Sequence, residues 1–371
     1  NQGTGMEGFK FTQLPDDAKE YFVILKKEGS IWKDISKSFN SYKNKNGDYY
    51  LFKKVYNVLN NPWHGGFCYV DLMAPGVTEK FLEITMKGYE NTFGDKLAES
   101  IHGMFSDEPQ IHSIGRSFRW TPLLFQTYQK RWGESLIPLL PYLYEETGPW
   151  KEVRNHYRQV LLQLFIERWS IPMHDYCEKH GLKWTGHYWE HAWPDVGEGP
   201  DNMAMYPWHQ MPAIDMLFNQ FNETHPQAQF GNVRSVKELR SVANQMGYKR
   251  TLSETYGGGG WDERFVDFKR LGDWEYVLGV NFMNQHLAHQ TLQGARKMDY
   301  PPEFDYYSPW WKDYKTLNDY FGRLSMALST GDQKNDLLII EPTSTIWCYQ
   351  SEAAGWVYNT SKDPLRMPMA D

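Results

Sequence analysis

RSVKELRSVANQM followed by GYKRTLSET, together residues 234–255, reads as a helix over 234–246 running into an apolar strand over 249–255. The same alternation recurs on both sides. Apolar strand patterns fall at about 67–72, 101–106, 182–189, 214–220 and 277–283, each followed by helix-period or loop sequence. Further helices are predicted over 75–92, after Pro75, and over 151–179, around VLLQLFIERW. Strands that alternate with helices predict a parallel sheet. The expectation is an α/β fold, a (β/α)8 TIM barrel over residues 63–330. Eight strands are needed and six are visible, so the barrel's first strands are expected upstream of residue 1.

The flanks read differently. Between residues 20 and 57 the runs YFVIL, SIWKDI and DYYLFKKVY are separated by Gly, Asn and Lys turns, which predicts a β-hairpin excursion and lead-in over 1–62. Past Thr330 a Ser-Thr-Gly-Asp break precedes DLLIIEP, a buried parallel-strand pattern, and predicts the start of a further α/β domain over 331–371. The chain opens without an initiator Met or a signal-peptide pattern, so flanking domains of a longer polypeptide are expected.

Composition excludes several classes of partner. The net charge is −7 and the 39 Lys and Arg are scattered without a basic stripe, which argues against nucleic acid. Mean hydropathy is −0.66 and no apolar run is long enough for a membrane span. Cys68, Cys177 and Cys348 lack metal or redox spacing and read as buried thiols. Aromatic residues make up 16% of the chain, including 16 Trp. Flat rings suit the apolar face of a sugar, and equally a Trp-rich core.

In a barrel, catalytic groups sit at the C-terminal ends of strands. IHGMFS ends in Asp107-Glu108-Pro109, where the proline stops β pairing and leaves two carboxylates in the loop; a capping acidic pair is the bland alternative. LKWTGHYWEH carries His187, Tyr188, Trp189 and Glu190, an acid among aromatics whose pKa is expected to be raised, or else a buried ion pair with a histidine. KRTLSE ends at Glu254, followed by Tyr256, the run Gly257–Gly260, Trp261 and Asp262; the glycines allow close approach to a ligand or a mobile rim. VNFMNQHLAHQ offers Asn284 and His286, which suit sugar hydroxyls. The string His187-x-x-Glu190-His191 matches a zinc motif that needs a helix, whereas its aromatics and Pro194 read as strand and loop, so zinc is disfavoured and metal binding stays unassigned.

These stretches carry a resemblance. YVDLMAPGVTEKFLEITMKGYENTFGD, HGMFSDEP, LSETYGGGGWD, FKRLGDWEYVLGVNFMNQHL and DYPPEFDYYSPWW, spread from about Trp63 to Pro342, resemble the α-L-rhamnosidase-type glycoside hydrolases of family 106. The resemblance implies a catalytic barrel inside a larger multidomain enzyme, exported to the periplasm or beyond the cell, typically by polysaccharide-degrading bacteria. It implies hydrolysis of terminal α-L-rhamnose from an oligo- or polysaccharide with inversion. No cofactor is required, although such enzymes often bind calcium. Carried over by position, Glu108, Glu190 and Glu254 are the catalytic candidates; the strand-end reading itself makes Glu108 the acid, Glu254 the base and Glu190 the reserve, and makes Asp107, His187, Tyr188, Trp189, Tyr256, Trp261, Asp262, Asn284 and His286 substrate-binding candidates. The alternatives are a retaining β-galactosidase-like exo-glycosidase, separable by carboxylate spacing, and a noncatalytic carbohydrate-binding barrel.

Overall fold

A computed structural model describes residues 2–111, 117–190, 195–217 and 232–350. Its first sheet is built from β1 (Thr4–Phe11), β2 (Val23–Glu28), β3 (Ile31–Asp34), β4 (Tyr49–Tyr56) and, from much later in the chain, β6 (Phe118–Trp120). The order is β3-β2-β4-β1-β6 and every pairing is antiparallel. Alternation decides how it packs. Along β4, Tyr50 and Phe52 enter the main core, while Tyr49 and Leu51 pack on a small cluster with Ala18, Ile24 and Ile35. Both faces of the sheet are therefore covered.

The second sheet is parallel. It comprises β5 (Gly103–Ser106), β7 (Lys183–Gly186), β8 (Met211–Met216), β9 (Leu252–Thr255) and β10 (Phe282–Gln285), in the order β5-β7-β8-β9-β10. Helices connect the strands, as the crossover of a parallel pair requires. Trp150–Phe165 continues through a π-helical turn, Ile166–Ser170, into Ile171–Lys179 and delivers the chain to β7; Arg234–Met246 leads to β9 and Phe265–Leu278 to β10. In Arg234–Met246 the buried residues Val236, Leu239, Val242 and Ala243 recur at helical spacing and form the stripe that meets the sheet.

The expected (β/α)8 barrel is not what the described residues form. They give five parallel strands in an open sheet beside a five-stranded antiparallel one, a mixed α/β fold. Among the described residues one expected barrel strand is missing, and so is the strand expected in the domain beyond it. The strand expected at 67–72 is reduced to an isolated bridge between Gln2 and Val70. Asp71 accepts the Met73 amide at 3.1 Å and the Arg119 guanidinium at 2.9 Å, and a segment that turns on its own side chain offers no ladder to a neighbour. The strand expected at the start of a second α/β domain is extended coil, with Leu337–Ile340 between 83 and 88% exposed. Its composition suits a buried strand, but none of the described strands lies alongside it. The run from 20 to 57 is more than a hairpin excursion, because β6 completes its sheet from 60 residues downstream.

Candidate active site

The C-terminal ends of the parallel strands converge on one imidazole. His187 follows β7, is buried, and sets Nε2 2.8 Å from Glu254 Oε2 on β9 and 3.7 Å from Asp107 Oδ1 after β5. Its position depends on Gly186, whose φ is 134°. A Cβ there would lie 2.1 Å from the Ser106 carbonyl oxygen, so glycine is what lets β7 close on the strand carrying Asp107 and Glu108. Glu108 adopts φ 46°, a left-handed conformation costly for a non-glycine residue and unusual before a proline. In this conformation a carboxyl oxygen of Glu108 lies within 4.8 Å of a ring nitrogen of His187 and a carboxyl oxygen of Asp107.

The two principal glutamates are in opposite protonation states. Burial, reinforced by Asp107, Asp215 and Glu190, pushes Glu108 up to about 8, against the pull of His187. Burial would raise Glu254 as well, but the hydrogen bond and charge of His187, with His286 Nε2 at 3.7 Å from Oε1, hold it below the ordinary carboxylate range. His187 shows the reciprocal effect. Burial alone would lower it, and the bond to Glu254 with the field of neighbouring acids takes it up to about 10. The pair is imidazolium and carboxylate.

Glu190 is fully buried and its oxygens are occupied by backbone amides: Oε2 accepts Tyr188 N at 3.0 Å and Oε1 accepts Asp215 N at 2.6 Å. It thereby joins the segment after β7 to β8, where the ladder itself has only two pairs, Thr185 with Met211 and Gly186 with Pro212. Burial pushes Glu190 up to about 7. On β10, Asn284 is exposed and in register with Glu254, while the His286 ring is oriented by a contact of Nδ1 with the Tyr300 carbonyl at 3.1 Å.

The aromatic candidates divide. Tyr188 and Tyr256 are fully buried, with Tyr188 Oη meeting His209 Nε2 at 2.9 Å and Tyr256 Oη donating to the Phe268 carbonyl at 2.9 Å. Trp189 is half-buried at the end of β7. Trp261 is 46% exposed and Asp262 is exposed beside it; the Trp261 indole donates to the Lys297 carbonyl at 2.9 Å, across the glycine run. His191 lies outside the described residues. Asp215 was not singled out from sequence. Reading the strand as 214–220 puts Asp215 at its beginning, whereas β8 is Met211–Met216 and Asp215 sits at its C-terminal end, level with Glu254. The acid within PAIDM was the available signal.

Asp107, Glu108 and His187 are also the described cluster of donors close enough to share an ion. Calcium takes six to eight oxygen ligands. One imidazole, already bonded to Glu254, and two carboxyls do not fit that ion among the described residues.

Residues 64–352 match the pattern that defines the α-L-rhamnosidases of glycoside hydrolase family 106. The chain belongs to this family. The match spans all five parallel strands and every candidate residue above, and leaves out β1 to β4. A Formosa agariphila protein provisionally named a β-glucuronidase is 25% identical over 288 residues, 74% of this chain and 23% of that protein. A solved rhamnosidase from Novosphingobium sp. PP1Y shares the fold over 81% of this chain and 30% of its own, with a TM-score of 0.60 at 19% identity. The chain thus spans about a quarter of the length of the first of these proteins and under a third of the second.

Proposed function

We propose that this chain carries the acid/base site of a glycoside hydrolase that releases terminal α-L-rhamnose with inversion, within a larger, exported enzyme. The carrying observation is that Glu108 and Glu254 both lie beside His187 at one end of the parallel sheet, in surroundings that push the first carboxyl up and hold the second down. Glu108, as the acid, gives its proton to the glycosidic oxygen as the bond from that oxygen to the anomeric carbon breaks. Glu254, as the carboxylate, takes a proton from a water whose oxygen bonds to the anomeric carbon from the opposite face. One water is consumed, and proton exchange with solvent restores both glutamates. Glu190, with its oxygens engaged by amides, serves best as a brace. A terminal uronic acid is the second reading, favoured by the name of the Formosa agariphila relative.

Glu108→Gln and Glu254→Gln in the full-length enzyme test the roles. Each should lower kcat on a methyl glycoside by roughly 10²-fold or more. A nitrophenyl leaving group needs little protonation, so it should rescue Glu108→Gln and leave Glu254→Gln impaired. Near wild-type turnover of the methyl glycoside by both variants would remove the assignment.

A further inference from the structure

We propose that Asp215 binds a ring hydroxyl of the substrate beside Glu254, and that with Asn284 it forms a clamp on the sugar flanking the general base. The inference rests on the reading of this site as a glycosidase and names a specificity-determining residue within it.

Register carries the argument. Asp215 on β8 pairs with Glu254 on β9, and Glu254 pairs with Asn284 on β10. Residues paired across parallel strands point to the same side, and adjacent strands lie about 4.8 Å apart. Acid, carboxylate and amide therefore form one row across the catalytic end of the sheet, of a length suited to a pyranose ring and its substituents.

Asp215 is only 8% exposed, and among the described residues no side chain or amide hydrogen-bonds its carboxyl, whose oxygens are not among the solvent-sealed atoms. Its backbone is fixed, since the amide donates to Glu190. A recessed carboxyl that no protein group engages is available to a ligand hydroxyl, and sites that bind hydroxyls keep such groups ready for the ligand. Burial, with Glu254, Glu190 and Asp107 nearby, outweighs His187 and pushes Asp215 up to about 8. It is thus a neutral acid near pH 7, offering one donor and one acceptor, as a hydroxyl group requires.

The test uses the full-length enzyme with nitrophenyl α-L-rhamnoside and nitrophenyl β-D-glucuronide, continuing with whichever is hydrolysed and its mono-deoxy analogues. Asp215→Ala should lower kcat/KM by roughly 10- to 100-fold. Asp215→Asn, which keeps a donor and an acceptor, should stay within about fivefold of wild type. One deoxy analogue should be poor for wild type and no worse than the parent sugar for Asp215→Ala. If Asp215→Ala fails to fold, Asp215→Ser is read the same way. Unchanged deoxy penalties in the variant would overturn the clamp alone. An Asp215→Asn defect that appears with methyl but not nitrophenyl glycosides would make Asp215 the acid, and would overturn both the clamp and the role given to Glu108. Failure of wild type to hydrolyse either sugar would overturn the underlying reading of the site, and the clamp with it.

Discussion

Replacing His187 with glutamine removes a positive charge and leaves a neutral donor near the position of Nε2. In the wild type that charge lies 2.8 Å from Glu254 Oε2 and close to Glu108. Two unit charges 4 Å apart attract by about 4 kcal/mol at an effective dielectric of 20, and a nearby opposite charge typically lowers a carboxyl pKa by about 1–3 units. Without the imidazolium, burial dominates at Glu254 and its pKa rises by that order. Glu108 rises too, because His187 is the group that restrains it. The wild-type profile of kcat/KM should fall on the acid side as Glu254 gains a proton and on the alkaline side as Glu108 loses one near pH 8. In His187→Gln both limbs should move to higher pH, so the bell slides rather than shrinks. At pH 5 activity should drop about tenfold for each unit by which the displaced acid limb comes to lie above pH 5. A nitrophenyl glycoside reports the acid limb, and a methyl glycoside, whose departure needs the proton, reports the alkaline limb. A uniform loss at every pH, with both limbs in place, would refute the electrostatic role of His187.

Two further outcomes concern stability. Gly186→Ala would set a Cβ 2.1 Å from the Ser106 carbonyl, so chemical denaturation should show a loss above about 3 kcal/mol, and a loss under about 1 kcal/mol would contradict the close approach of β7 to β5. Glu275 is fully buried under β9, accepts hydrogen bonds from Ser253 and Thr255, and is pushed by burial from 4.5 to about 8. The folded state then binds more protons than the unfolded one between those values, so this residue's contribution is full below pH 4.5 and is lost as pH rises to 8, by about 1.4 kcal/mol per unit. Glu275→Gln should flatten the unfolding free energy against pH by that slope; parallel curves for variant and wild type would exclude it.

What was legible in the sequence was local. Strands with apolar runs and helices with a buried stripe announce themselves, as 234–246 does. Pairing across the chain does not. Nothing within Phe118–Trp120 signals that it completes the sheet begun at Thr4, and nothing in DLLIIEP shows whether a neighbouring strand awaits it. At the site, acids after strands could be read from sequence, and their protonation states could not, because these depend on which residues surround His187. A shift of a few residues in one strand was enough to hide Asp215 at the wrong end of β8.

The junction of β7 with β8 has a wider consequence. Backbone joins them over two residue pairs, and beyond Pro212, which has no N–H to give, a single carboxylate, Glu190, completes the connection. Elsewhere along this rim the spacing is set by main chain, which point substitutions leave in place. At Glu190 the spacing between the segment after β7 and β8 is a side-chain length, so a single substitution there can change it without touching the main-chain ladder.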